Sequence, residues 1–266
     1  MRRVLEFARY EGRRRVRGAI VMTVGIAALT GLYVWLFPSI EASGVDLDRY
    51  VEAFPPAMIE AFGIRALGTI EGFLAAELYA FVWVLLLGLY LAYSAASTVA
   101  GEVEDGRMDL RLSLPVSRRR IVGEKFLSLL VPILIVNALT PIVVYGGVLL
   151  IGESISAADL VAVHALSIPY LLACAAIGLA ISVVLDREGR AQRAALGAIF
   201  GLFMIESVVA GTDLEAIGGL SPTRYYDATA ILVDGTYDLA GAAILLGATV
   251  VIVLASQWWF SHKSLE

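Results

Sequence analysis

RRRVRGAIVMTVGIAALTGLYVWLF, residues 13–37, sets four arginines in five positions directly ahead of twenty residues without a charge. A bilayer's hydrocarbon core, about 30 Å thick, is crossed by about 20 apolar residues of helix. The run is therefore long enough to span. A secretory leader has an apolar stretch of only about 7–15 residues, followed by a small-residue cleavage site. Residues 41–44, EASG, make a poor one, so the segment is expected to stay as an anchor.

The rest of the chain has the same character. Hydrophobic residues make up 59% and charged residues 17% of 266, and the mean hydropathy is +0.81. Soluble domains carry about 45–50% apolar and about 25% charged residues, so the surface of this chain is suited to lipid. No long polar stretch offers a soluble domain, and one membrane domain is expected over 1–266. Six segments have the length and apolarity of a span: about 18–37, 78–99, 126–151, 160–185, 194–211 and 239–260. The fold class expected is an all-α membrane protein of six transmembrane helices.

Orientation follows from the cations. Arg2, Arg3, Arg9, Arg13, Arg14, Arg15 and Arg17 precede the first span. Arg107, Arg111, Arg118, Arg119, Arg120 and Lys125 lie between the second and third. Arg187, Arg190 and Arg193 lie between the fourth and fifth, and Lys263 follows the sixth. Of the 20 Lys and Arg, only Arg49, Arg65 and Arg224 fall on the other side. Short loops rich in Lys and Arg stay in the cytoplasm, so both termini are expected there, in a cell membrane. Carboxylates such as Asp46, Glu60, Asp213 and Asp238 coat the opposite side. A composition rich in Asp, Glu and Arg but with only two lysines suits an acid-rich prokaryotic proteome.

Residues 5–18, LEFARYEGRRRVRG, combine apolar or small positions at near-helical spacing with arginines. They are expected to form a helix lying at the membrane surface, since each basic residue near anionic headgroups contributes about 1 kcal/mol. FPPAMIEAFGI, 54–64, suggests a short outer amphipathic helix with Pro55 and Pro56 at its start. Within the spans polar residues are few. Asn137, His164 and Glu206 stand out, and a carboxylate in hydrocarbon is a functional candidate by default. Glu206 is accordingly a candidate pathway residue, with the outer interface as the simpler placement. Pro132, Pro141 and Pro169 are expected to kink the third and fourth spans.

GEVEDGRMDLRLSLPVSRRRIVGEKF, 101–126, is unlike an ordinary basic flank. Glu102, Glu104 and Asp105 precede Gly106. Met108, Leu110, Leu112 and Leu114 then alternate with polar residues up to Pro115, and the three arginines 118–120 follow Ser117. Apolar side chains on a cytoplasmic loop need something to pack on, as in a short element that docks another protein. Cations in a helix's first turn oppose its macrodipole by roughly 0.3–1 kcal/mol each, and lipid phosphates are the expected compensation.

The pattern Glu102, Glu104, Gly106, Met108, Leu110, Leu112, Ser113, Leu114, Pro115, Val116, Ser117, Arg118 resembles the first cytoplasmic loop of type-2 ABC permeases, the membrane subunits of drug- and antibiotic-resistance-type exporters. Arg107 stands where that family often has Thr or Ser. LSPTRYYD, 220–227, is similar to the family's segment before the last span. The resemblance implies a short cytoplasmic coupling helix between helices 2 and 3, within 101–120, that meets a separate ATPase subunit. On this reading Glu102, Glu104, Gly106, Leu114, Pro115 and Ser117 couple to the ATPase. Arg13, Arg14, Arg15, Arg118, Arg119 and Arg120 anchor the chain at the membrane surface. LDREGRAQR, 185–193, is either a second contact or a plain connector.

The chain has no G-x-x-x-x-G-K-[ST] loop to cradle phosphates and none of H-E-x-x-H, C-x-x-C or G-x-S-x-G. Catalysis on this chain is not expected, nor is a cofactor, and ATP with Mg²⁺ belongs on the partner. Six helices are few for an alternating pathway, so a second copy is expected in a two-plus-two assembly, surrounded by membrane lipids and with no nucleic-acid partner. The single Cys174 excludes a disulfide framework. Two other classes remain: an ion-driven secondary carrier, which would call for several intramembrane carboxylates, and a non-transporting scaffold or signalling subunit.

Overall fold

The computed structural model describes residues 6–43, 66–108 and 116–263, with residues 49, 51, 54 and 59 singly. Six helices have the length and apolarity of membrane spans: α1 (Glu6–Ala42), α2 (Ile70–Glu104), α3 (Arg118–Leu150), α4 (Ala157–Val184), α5 (Glu188–Val209) and α6 (Leu239–His262). Each expected span coincides with one of them; the third, fourth and fifth run one or two residues past the helix end, at Leu150, Val184 and Val209. Between α5 and α6 lie three short pieces, Glu215–Gly218, Pro222–Tyr225 and Ala228–Leu232. The expected outer helix at 54–64 and the stretch containing Leu110, Leu112, Leu114 and Pro115 lie outside the described residues.

α4 is the axis of the bundle. It packs against α2, α3, α5 and α6, and 72% of its most apolar window is buried, against 22% for α5 and 28% each for α1 and α6. Its centre is built from small residues, Ala173, Cys174, Ala175, Ala176 and Gly178, facing Ala92, Ala95, Ala96 and Ala100 of α2. Lipid tails are as apolar as leucine, so membrane helices associate through close packing, which small residues permit. At Gly178 the approach is closest: a Cβ there would lie 2.2 Å from the carbonyl oxygen of Ala92. Ser182, one turn on, accepts hydrogen bonds from the N–H groups of both Val99 and Ala100 at 3.0 Å.

Two helices depart from plain α-helical form. α2 winds as a π-helix from Ala75 to Leu87, and this stretch carries Tyr79 and Trp83 onto His164 of α4. α3 is interrupted at Leu129. Pro132 lacks the N–H that would bond Ser128, and its ring crowds that carbonyl, so the break falls where the proline dictates. Pro141 and Pro169 sit inside continuous helix.

The basic segment 5–18 does not form a separate surface helix. From Glu6 it continues into the first span as one helix of 37 residues, about 55 Å at 1.5 Å per residue. Its early turns lie against α3. Gly12 allows this, since a Cβ there would come within 2.9 Å of the Val131 side chain. The helices alternate in direction. One end of the bundle therefore gathers the starts of α1, α3 and α5 with the ends of α2, α4 and α6, and it carries most of the cations. The opposite, acidic end gathers the connections on the other side.

Candidate functional site

The basic end holds a cluster of buried ions. Lys125 of α3 is 1% exposed, and its Nζ lies 2.9 Å from Glu102 Oε1 of α2 and 3.4 Å from Glu11 Oε1 of α1. Next to it Glu124, 3% exposed, accepts from Arg120 Nε at 2.6 Å and from the backbone N–H of Ala8 at 3.2 Å. Arg15 donates to Ser128 Oγ at 3.1 Å and to Ser94 Oγ at 2.9 Å, on α3 and α2 respectively. Three carboxylates thus face three cations where α1, α2 and α3 meet. Buried charges persist only when paired and hydrogen-bonded, and here each has partners on a neighbouring helix or one turn away.

Around this cluster the helix ends are capped by one another. An α-helix leaves its first four N–H groups and last four C=O groups without internal partners, and the macrodipole favours an anion at the start and a cation at the end. Glu124 of α3 supplies the anion to the first turn of α1. Glu104, at the end of α2, accepts from the N–H of Glu188, the first residue of α5, at 2.8 Å. Lys263, just after α6, donates to the carbonyls of Val183 and Val184 at the end of α4 at 2.8 and 2.9 Å, and it pairs with Asp186. Arg118 of α3 donates to the carbonyl of Lys263 and lies over the Phe260 ring, 6.0 Å from its centroid, while Arg119 donates to Ser261 Oγ at 3.3 Å. All six helices are joined at this end through side chains.

The residues singled out from the sequence take distinct places in this arrangement. Glu102 turns inward to Lys125 and is 8% exposed, whereas Glu104 is exposed and caps α5. Gly106 ends α2: its φ of +67° is left-handed, and its N–H reaches the Val103 carbonyl at 3.1 Å, one of the two bonds of a Schellman ending. Met108 is 1% exposed and packs in the core of the chain. Ser117 is the N-cap of α3, its Oγ accepting from the Arg120 N–H at 3.3 Å. Leu114 and Pro115 lie outside the described residues. The three arginines after Ser117 have protein partners: Glu124 offsets the dipole at α3's start, and the end of α6 welcomes the other two. Arg13 and Arg14 point outward, as a surface anchor requires, but Arg15 points into the bundle.

Glu206 lies far from this end. Because α5 ends at Val209, two residues earlier than expected, Glu206 falls one turn from the helix's acidic-end terminus. Its Oε1 is 3.5 Å from Arg224 Nη1, and Arg224 also bonds the side chain and carbonyl of Glu215. The hydrogen bond that Arg224 donates to Glu215, with the nearby charge of Glu206, raises the Arg224 pKa above its usual value against the opposing effect of desolvation.

Two features of the interior are not apparent in the local sequence. Asn137 and Ser167 satisfy each other across α3 and α4 at 2.9 Å. His164, 3% exposed, meets Tyr79 Oη through Nε2 at 3.0 Å. Asn137 and His164 thus serve as ties between helices. Among the described residues no group of three or more His, Cys, Asp or Glu could hold a metal ion.

Six helices of this length and apolarity are those of a multi-pass membrane protein. The chain belongs to the ABC-2 family transporter proteins, whose sequence profile matches residues 8–265. Members of that family form the membrane component of ABC transporters and normally work with an ATP-binding subunit. No curated protein matches the chain.

Proposed function

We propose that this chain is the permease subunit of an ATP-driven exporter, with its basic end in the cytoplasm, working as two copies above two separate ATPase subunits. The observation that carries the coupling part of this reading is the cross-capped basic end. A push on the segment after Glu104 meets α5 through Glu188, and through Glu102 and Lys125 it meets α1 and α3. The ATPase contact falls to the exposed residues Glu104, Asp105 and Arg107 and to the stretch reaching Leu114 and Pro115. Glu102 acts behind that contact, relaying the push into the bundle, and Ser117 holds the start of the helix that receives it.

The arginine count favours a cytoplasmic basic end, because short cation-rich loops stay inside. Arg13 and Arg14 then stand at the level of lipid headgroups. ATP and Mg²⁺ are held by the partner, in keeping with the lack of a phosphate-cradling loop in this sequence. An ion-driven carrier fits less well: Glu206, the intramembrane candidate, lies one turn from a helix end and pairs with Arg224.

The test is purification of the chain from its own cells under mild detergent. The expected result is co-purification of an ATPase subunit whose hydrolysis is altered by the permease. Exchange of Glu104, Asp105 and Arg107 for alanine is expected to release the ATPase while the permease remains folded. Failure of any ATPase to co-purify would overturn the proposal.

A further inference from the structure

The acidic end contains a half-open cavity of about 240 Å³ beside the short helices that precede α6. Three tyrosines, Tyr225, Tyr226 and Tyr237, line it together with Thr236, Asp227 and Asp238, and the rest of the lining is apolar. Among the described residues no Lys, Arg or His contributes to it, and Arg224 next door is turned toward Glu206 and Glu215.

The hydroxyl hydrogens around this cavity are committed to the protein. Tyr225 donates to the Gly219 carbonyl at 2.8 Å, Tyr226 to the Val163 carbonyl at 2.9 Å, Thr236 to the Ala230 carbonyl at 3.0 Å and Tyr237 to Asp159. The bond to Asp159 raises the Tyr237 pKa above its ordinary value, which keeps the phenol protonated. With these bonds made, no side-chain donor among the described lining residues is left for a ligand. An anion or a carbonyl oxygen would find no side-chain partner among them.

Acceptors and aromatic rings are what the cavity offers. Asp227 accepts the Ala230 N–H at 2.9 Å and Asp238 accepts the Gly241 N–H at 2.8 Å. An ionised carboxylate has about four lone-pair sites, so Asp238 retains acceptor capacity after its capping bond. Tyrosine faces attract cations through the ring quadrupole, the basis of aromatic cages for quaternary ammonium. A metal cation would seek several oxygen ligands and gain little from rings. The volume is below the roughly 300–1,000 Å³ of sites that enclose drug-sized molecules, and suits a headgroup with a short apolar body.

From this combination we propose that the cavity is a binding site for an organic ammonium group, carried by a small soluble amine or by a long-chain amphiphile whose tail leaves through the open side. The inference does not depend on the ATPase partner or on the direction of transport.

The test is calorimetric titration of the purified chain in an uncharged maltoside detergent. Benzyltrimethylammonium is expected to bind saturably, at least tenfold more tightly than benzyl alcohol or benzenesulfonate. The pair Asp227→Asn with Asp238→Asn removes both charges while keeping residues that cap helices as well as Asp does. It is expected to weaken binding of the ammonium tenfold or more, and Tyr237→Leu to weaken it severalfold. Dodecyltrimethylammonium binding much more tightly than the benzyl probe would point to an amphiphile; equal affinities would point to a soluble amine. Equal binding of the neutral or anionic probe to the wild-type chain would overturn the proposal, whatever the variants do. So would unchanged binding in a folded double-Asn variant.

Discussion

Replacement of Lys125 by methionine tests the central claim about the basic end. At 2.9 and 3.4 Å from Glu102 and Glu11, the gross attraction is roughly 5–6 kcal/mol per pair at an effective dielectric of about 20. Desolvation of the three groups offsets much of it, so the pairs add little net stability compared with a well-packed apolar core. Breaking them is another matter. Lys125→Met leaves Glu102 buried and short of its cation, and stranding one partner of a buried pair costs about 3–5 kcal/mol. At roughly 2–4 °C per kcal/mol for a chain of this order of size, Tm should fall by about 6–20 °C. The double variant Lys125→Met with Glu102→Gln removes both charges, leaves Glu11 beside Arg15 one turn away, and should recover most of the loss. Thermal unfolding followed by circular dichroism in detergent reads both. A further separation comes from ATPase stimulation by the permease, which the double variant should not recover, because the link from α2 to α3 is gone. A single variant within about 1 kcal/mol of wild type would refute the burial argument. Full recovery of stimulation in the double variant would refute the relay.

Four shorter expectations follow. Gly178→Ala should sharply reduce folded yield, because its Cβ would lie 2.2 Å from the backbone oxygen of Ala92, while Gly197→Ala on exposed α5, with nothing within 4 Å, should be neutral or gain about 0.5–1 kcal/mol. Ser117→Ala should cost about 0.5–2 kcal/mol in thermal unfolding, and Ser117→Asn should restore it, since either polar residue caps α3. For orientation, the native Cys174 is buried and should stay unlabelled; in whole cells an impermeant maleimide should label cysteine introduced at Asp213 or Gly235 but not at Arg190. Glu206→Gln should change Tm by no more than a few degrees, since partly exposed ion pairs contribute about 0–1 kcal/mol, and transport should persist.

The six spans were legible because lipid imposes one simple requirement, a run of about 20 apolar residues, and each run met it. Helix ends were less so. α5 begins at Glu188 rather than near 194 because charged residues remain helical once Glu104 caps their first N–H. The basic segment before the first span looked like a surface helix, and arginines do suit headgroups. Gly12 and the inward turn of Arg15 draw it onto α3 instead. Glu102 and Glu104 stood out as acids in a loop motif, but their directions differ, and local spacing does not encode that difference. Lys125 was counted as one cation among many on the basic side. Its burial depends on Glu11, 114 residues away, and such a pairing leaves no periodic trace. The same holds for Tyr79 and His164, 85 residues apart.

The contrast between the two ends bears on how such a bundle could move. In lipid, helix association has little hydrophobic drive, and polar ties and close packing decide which helices travel together. At the basic end Glu102, Glu104, Arg118, Glu124, Lys125 and Lys263 bond one helix to the next, so a load on any of them is shared. At the acidic end Arg224 ties the connection after α5 back to Glu206, and Tyr237 ties the connection before α6 to Asp159. The first joins a helix to its adjoining connection and the second crosses to α4, and they leave the cavity beside Tyr225 and Asp238 half open. Between the ends, the contact of Gly178 on Ala92 is too close for sliding but can serve as a fulcrum. On the proposed reading, force entering at the ATPase side would turn α2 and α4 together about that contact.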